Sequence, residues 1–152
     1  MTPSPRPVTT VRVVEDEADW AAARAIRFAV FVDEQGFPAA NELDAYDAVA
    51  RHWLLVSDDG APLATARAVA LPSGAWKIGR VAVAREARGL GLGAALMRAL
   101  LSAARDAGVS ETLLDSQVQA TGFYASLGYV AEGPEFLEAG CPHRRMRRLE
   151  PA

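Results

Sequence analysis

Cysteine is almost missing from this chain: Cys141 is the only one in 152 residues. That excludes an intrachain disulfide and a cysteine-cluster metal site. Histidine is nearly as scarce, with His52 and His143 alone and no His-x-x-x-His or Cys-x-x-Cys spacing, so no metal is expected. A strong charge of one sign is also lacking. The formal net charge is −3, which gives no global attraction to nucleic acid or to an anionic membrane, and neither is expected as a partner. The longest apolar runs are interrupted by Arg or Asp well short of the roughly 20 residues that span a bilayer. There is no internal repeat and no long linker, and nothing of low complexity beyond richness in alanine. Met1 to Pro7 is Pro-rich and polar and has no apolar h-region. The expectation is a cytoplasmic protein with a flexible tail over residues 1–8 and one domain over residues 9–150.

What is present is enough apolar sequence for a core: 51% hydrophobic residues beside 23% charged ones. Thr9 to Val14 reads as a strand. Asp16 can cap a helix from Glu17 to Phe31, on which Trp20, Ala23, Ile26 and Val30 recur at helical spacing. Asp33 to Asp47, with Gly36-Phe37-Pro38 and several acids, reads as a loop with room for a short helix. His52 to Ser57 and Ala61 to Ala70 form strands about an Asp58-Asp59-Gly60 turn, and Pro72-Ser73-Gly74 leads to a strand from Trp76 to Val83. Beyond Gly91 and Gly93, the residues Leu92, Ala95, Leu96, Ala99, Leu100, Ala103 and Ala107 share a helical face, opposite Arg98, Ser102 and Arg105, and Gly108 ends the helix. Thr112 to Asp115 is a short strand and Ala120 to Leu127 a short helix stopped by Gly128. Tyr129 to Glu132 and Arg144 to Leu149 are the last strands, with a Cys141-Pro142-His143 turn ahead of the second. The order β, α, three β, α, β, α, two β predicts a mixed α/β, α+β-like fold.

The segment from Val81 to Leu96 carries the chemistry. A strand ends, a glycine-rich turn follows and a long helix begins. The first turn of a helix offers free N–H groups and the positive end of the macrodipole, which together bind phosphate. Gly89, Gly91 and Gly93 remove side chains that would hold a pyrophosphate away from the backbone, and Arg88 can add a charge-assisted contact. A dinucleotide fold would place such a turn in an opening βαβ unit with an acid about 20 residues on, whereas here it lies past mid-chain after several strands.

The spacing Arg88-x-x-Gly91-x-Gly93 resembles the acetyl-CoA motif of the GNAT N-acetyltransferases. The segment from Gln117 through Ala120, Phe123 and Tyr124 to Gly128-Tyr129 is similar to that family's Asn-x-x-Ala-x-x-Phe/Leu-Tyr-x-x-x-Gly-Phe, with Gln117 where Asn is common and Tyr129 where Phe is common. Arg27-Phe-Ala-Val30-Phe31 with Glu34-Gln35-Gly-Phe-Pro38, then Glu42, Asp44, Asp47 and His52, together with the tail from Phe136 to His143, resembles the ElaA-like and YjcF-like branch. The resemblance implies a central, mostly antiparallel sheet, splayed at the cofactor site and flanked by helices. It implies an acyltransferase with acetyl-CoA as co-substrate, bound by Val81, Ala82, Val83, Arg88, Gly89, Leu90, Gly91, Gly93, Ala94 and Phe123. Tyr124 would protonate the departing thiolate as the acetyl group passes directly to an amine in a ternary complex. An acyl-CoA sensor without catalysis, or a module using the same turn for another nucleotide, stays open. So does the oligomeric state, a homodimer included.

An attacking amine needs its lone pair free, and a lysine-like amine with a reference pKa of about 10.4 is protonated at neutral pH. Glu34, His52, Asp115, Glu138 and His143 are the acids and histidines near the matched segments. His52 is either a base or a hydrogen-bonded strand-start histidine; His143 either touches substrate or braces its turn; Glu34 lies in a loop that often lines the acceptor pocket in the family. Asp33, Glu34, Glu42, Asp44 and Asp47 read by default as a solvated acidic loop, with a cationic acceptor as the alternative. Arg144, Arg145, Arg147 and Arg148 read as a solvated strand edge.

Overall fold

The computed structural model describes residues 8–150. Of the expected tail, all but Val8 lies outside the described residues, and Val8 is exposed. The chain forms two compact units. One contains the chain up to Arg67 with Arg80–Leu100, the other Ala68–Gly79 with the chain from Leu101 on. Seven strands make one mixed, mostly antiparallel sheet: β1 (Thr9–Val13), β2 (Arg51–Ser57), β3 (Pro62–Ala70), β4 (Trp76–Val83), β5 (Glu111–Gln117), β6 (Val130–Glu138) and β7 (Cys141–Leu149), in the order β1-β2-β3-β4-β5-β7-β6. The helices are α1 (Glu17–Arg27), α2 (Ala39–Glu42), α3 (Leu92–Asp106) and α4 (Thr121–Ser126). No described helix is long and apolar enough to cross a membrane.

In the first unit Asp16 caps α1 as its side chain predicts, accepting the Asp19 N–H at 2.8 Å. The helix does not run to Phe31 in α form. From Phe28 to Glu34 it widens into π geometry, where Gln35 N–H reaches the Val30 carbonyl at 3.1 Å. The wider turn keeps Val30 buried and Phe31 against the core formed by Ala23, Ile26, Leu54, Val56 and Ala82. Propensity and spacing do not distinguish the two helix types, because the same apolar residues serve both. The acidic loop holds α2 and a 3₁₀ turn over Ala45–Ala48, closed by a capping box between Asp44 and Asp47.

The parallel register between β4 and β5 pairs Trp76 with Thr112, Lys77 with Leu113 and Ile78 with Leu114. β4 runs on to Val83 beyond that register. The buried positions of α3 are Leu92, Leu96, Met97, Leu100, Leu101 and Ala104, a face rotated from the expected one toward its larger residues; Ala107 is exposed.

The C-terminal hairpin is longer than its sequence suggests. Glu132 pairs with Arg145 and Phe136 with His143, so β6 carries two more residues than β7 between these pairs. The bulge absorbs Gly133, at φ 73°, and Pro134, which an edge strand tolerates because no neighbour needs its missing N–H. The turn itself is Ala139-Gly140, both at positive φ. Cys141, Pro142 and His143 therefore lie in β7 and not in a turn. The turn was hidden because alanine rarely takes the first of two left-handed positions.

Candidate active site

After Val83 the chain makes a 3₁₀ turn over Arg85–Ala87 and reaches Gly89 and Gly91, at φ 79° and 75°. Glycine enters this region without steric cost, which other residues do not. A Cβ built on either glycine would meet nothing within 4 Å. Packing therefore does not demand glycine here; the backbone path does, and the space beside it is open. The α3 ladder starts with Ala95 N–H on the Gly91 carbonyl at 3.1 Å, so the amides of Leu92, Gly93 and Ala94 precede it. A helix start of this kind has the free N–H groups that suit an anion, and Leu90 stands half-exposed beside it. Leading into it, Val81 and Val83 are half-buried while Ala82 turns into the core.

Arg88 is not aimed at that helix start. Its guanidinium grips the Glu34 carboxylate with two bonds of 2.7 and 2.9 Å, and its Nε donates to the Val83 carbonyl at 3.1 Å. The Arg88 hydrogen bonds hold the Glu34 carboxyl below the usual carboxylate range. A carboxylate held ionised in this way is a weaker base, and its visible task is to fix Arg88 against the end of β4.

The remaining loop acids belong to a paired cluster. Arg27, almost wholly buried, donates to Glu42 at 2.9 Å, to Asp47 at 2.7 and 3.2 Å, and to the Glu42 carbonyl at 2.8 Å. Arg67 donates to Asp44 at 2.7 and 2.9 Å and to Asp47 at 2.9 Å. Burial pushes the Asp47 carboxyl up, but the Arg27 hydrogen bonds, the Asp44 N–H, the charge of Arg27 and the Arg67 hydrogen bond outweigh it and bring it to about 2. Arg80 joins the same loop. Three arginines thus face Glu42, Asp44 and Asp47, so these acids present no net negative charge to a cationic acceptor. His52 is buried beside them, with Nε2 at 3.0 Å from the Asp47 carbonyl and its ring 4.8 Å from that of Trp20. Its position is that of a hydrogen-bonded strand-start histidine.

In the second unit, a 3₁₀ turn over Val118–Ala120 leads into α4, which buries Tyr124 and leaves Phe123 half-exposed. The Tyr124 ring stands edge-on to Phe123 and Tyr129 at 5.0 and 5.9 Å. Burial, then the neighbouring Tyr129, raises its phenol well above the ordinary value, and among the described residues its hydroxyl has no hydrogen-bond partner. Tyr129 differs. Its hydroxyl meets Thr112 Oγ1 at 2.7 Å, and burial pushes it up to about 12 despite that bond.

The other base candidates are engaged. Asp115 is bound by Arg145 and lies 3.2 Å from Lys77 Nζ. His143 places Nδ1 at 2.7 Å from the Cys141 carbonyl and Nε2 at 3.6 Å from Glu138, with Phe136 stacked on its ring. The β7 arginines are not a solvated edge either: Arg147 joins Glu111 and Glu132, Arg148 joins Glu150, and Arg144 donates to the Gly133 carbonyl. Sequence reasoning missed Arg27, Arg67 and Arg80 as members of the charged cluster. The helical period gave one signal: Arg27 follows Ala23 by four residues and so falls on the buried face of α1.

The family model for the "Acetyltransferase (GNAT) domain" matches residues 29–150. The N-acetyltransferase YjcF of Bacillus subtilis, itself uncharacterized, is 36% identical over 137 residues, covering 90% of this chain and 96% of its own. Among solved structures, an acyl-CoA N-acyltransferase from Pseudomonas aeruginosa is similar at 32% identity and a TM-score of 0.82, over 93% of this chain and 99% of that one. Escherichia coli ElaA is similar at 27% identity and a TM-score of 0.80, over 93% and 99%.

Proposed function

The chain belongs to the GNAT acetyltransferase family and is an acyltransferase, and from that premise we propose that it passes an acetyl group from acetyl-CoA directly to an amine in a ternary complex. The observation that carries the reading is the turn from Arg88 to Ala94: two left-handed glycines, open space beside them and the free amides of a 15-residue helix. Acetyl-CoA supplies the activated acyl group as a thioester. The amides of Leu92, Gly93 and Ala94 hold its pyrophosphate, and the β4 backbone from Val81 to Val83 aligns its pantetheine arm. Backbone N–H groups near Val83 then face the thioester carbonyl as it gains negative charge. The Glu34–Arg88 pair braces the end of that strand.

Tyr124 is a neutral phenol at neutral pH with an uncommitted hydroxyl. It donates toward the departing sulfur. A thiol's reference pKa is about 8.5, so complete proton transfer from a phenol raised above 10 runs uphill. Its contribution is therefore a strong hydrogen bond to a developing anion. Glu34, His52 and Asp115 are all engaged elsewhere, so the amine loses its proton through water.

The experiment is acetyl-CoA binding by calorimetry to the wild type and to Gly91→Val. A β-branched residue resists φ 75° and places a side chain where the phosphate approaches. Binding is expected to fall by about 100-fold or more, the loss of roughly two charge-assisted hydrogen bonds, in a protein that keeps its circular dichroism. Unchanged affinity in a folded Gly91→Val protein refutes the cofactor assignment.

A further inference from the structure

Arg80 is the residue of β4 with positive φ, and it lies beyond the parallel register with β5. Its φ of 52° puts a long side chain in the left-handed region, a conformation that persists only where the surroundings enforce it and that gathers at functional sites. The side chain reaches the loop around α2, where it completes the charge balance of three acids with three arginines. Arg27 and Arg67 bind Glu42, Asp44 and Asp47 at 2.7–3.2 Å. The Arg80 contacts to the Asn41 and Glu42 carbonyls and to the Asp44 and Glu42 carboxylates run from 3.2 to 3.4 Å, with none as short as the 2.7–2.9 Å bonds of Arg27 and Arg67. Its side chain is also the most open of the three, at 27% exposure against 1% for Arg27 and 10% for Arg67. Burial disfavours its charge, and the repulsion of Arg67 and Arg27 adds to this against the attraction of Glu42 and Asp44, so its guanidinium lies below the ordinary value. Arg80 is the loosely held and most exposed arginine of the cluster, so it is the one whose fork can turn to a carboxylate ligand.

We propose that Arg80 is a specificity residue that receives a carboxylate on the acceptor, so that the amine acetylated belongs to an amino acid or a close relative. A guanidinium fork matches a carboxylate through two parallel hydrogen bonds. Arg80 precedes Val83 by three residues, about 10 Å along a strand. In an α-amino acid the amine is one carbon from the carboxylate, so gripping the carboxylate fixes the nucleophile as well. The proposal deepens the acyltransferase reading and rests on it.

The test measures thiol release from acetyl-CoA with glycine, L-phenylalanine and L-glutamate against glycinamide, L-phenylalaninamide and L-glutamate α-amide. It uses wild type, Arg80→Gln and Arg80→Lys, with acetyl-CoA binding and thermal midpoints measured in parallel. In the wild type at least one acid should exceed its amide by about 10-fold or more in kcat/KM, the scale of a charged hydrogen bond. In Arg80→Gln that ratio should fall toward one, chiefly through a raised KM for the acid, and Arg80→Lys should lie between. Amides used as well as acids by the wild type, or a parallel loss for both in Arg80→Gln, overturns the proposal. A fall in the Arg80→Gln midpoint beyond about 3 °C shows a brace and overturns it too. If acetyl-CoA binds but acids hold no advantage, only the Arg80 proposal fails; if acetyl-CoA does not bind, the acyltransferase reading fails and takes this with it.

Discussion

Arg27 and Tyr124 are both buried, yet their polar atoms live under opposite conditions. Around Arg27 every charge is matched: the guanidinium meets Glu42, Asp47 and a backbone carbonyl, Arg67 covers Asp44 and the rest of Asp47, and Arg80 supplies the third positive charge. Around Tyr124 there are ring edges, and among the described residues its hydroxyl has no partner. The Tyr124 hydroxyl is not sealed from solvent, so water can satisfy it and no structural bond commits it. The paired region fixes a loop, and the unpaired hydroxyl is the one the proposed mechanism draws on. Tyr129, five residues on and satisfied by Thr112, is the internal control.

Breaking the paired side should have the largest effect. Arg27→Ala strands the Glu42 and Asp47 carboxylates with one arginine fewer, and removing one partner of a buried ion pair costs about 3–5 kcal/mol. Denaturant unfolding should show that loss. A change under about 1 kcal/mol would mean the cluster is wet and loosely held, and the contrast with Tyr124 would lose its footing.

Next comes the unpaired side. Tyr124→Phe should lower kcat by about 100-fold, on the scale of one donor to a developing anion, with little change in acetyl-CoA affinity or stability. Tyr129→Phe should do the reverse, costing roughly 1 kcal/mol of stability for its lost hydrogen bond with kcat nearly intact. Equal kcat effects for the two tyrosines would erase the distinction between them.

Acid titration gives the smallest and sharpest measure. Asp47 falls from 3.8 to about 2 on folding, so between those values the unfolded chain binds more protons than the folded one. Its contribution is complete above pH about 4 and disappears as pH drops through about 2. Thermal midpoints of the wild type should therefore converge on those of Asp47→Asn as pH falls through that window. A constant gap between the two proteins down to pH about 2 would mean that Asp47 contributes packing and not charge.

The order of strands and helices was legible because its signals are local. A capping aspartate, helical and alternating periods, and glycines at turns act within a few residues. The glycine turn before α3 was legible for the same reason: Gly89 and Gly91 mark it by residue type, and the helical period follows at once. The Ala139-Gly140 turn and the π segment were not, since an alanine at φ 51° and a widened helix leave no mark in residue type.

The sequence by itself determined the family, the element order and the glycine turn at the start of α3, along with the place of Tyr124 on α4. Only the tertiary structure decided which charges meet. Arg27 finds Asp47 across 20 residues of chain, Arg67 finds Asp44 across 23 and Arg88 finds Glu34 across 54. A charge in a sequence states what it can pair with but not which partner the fold brings within 3 Å. Coulomb energy at that range depends on separation and burial, and both are properties of the folded chain.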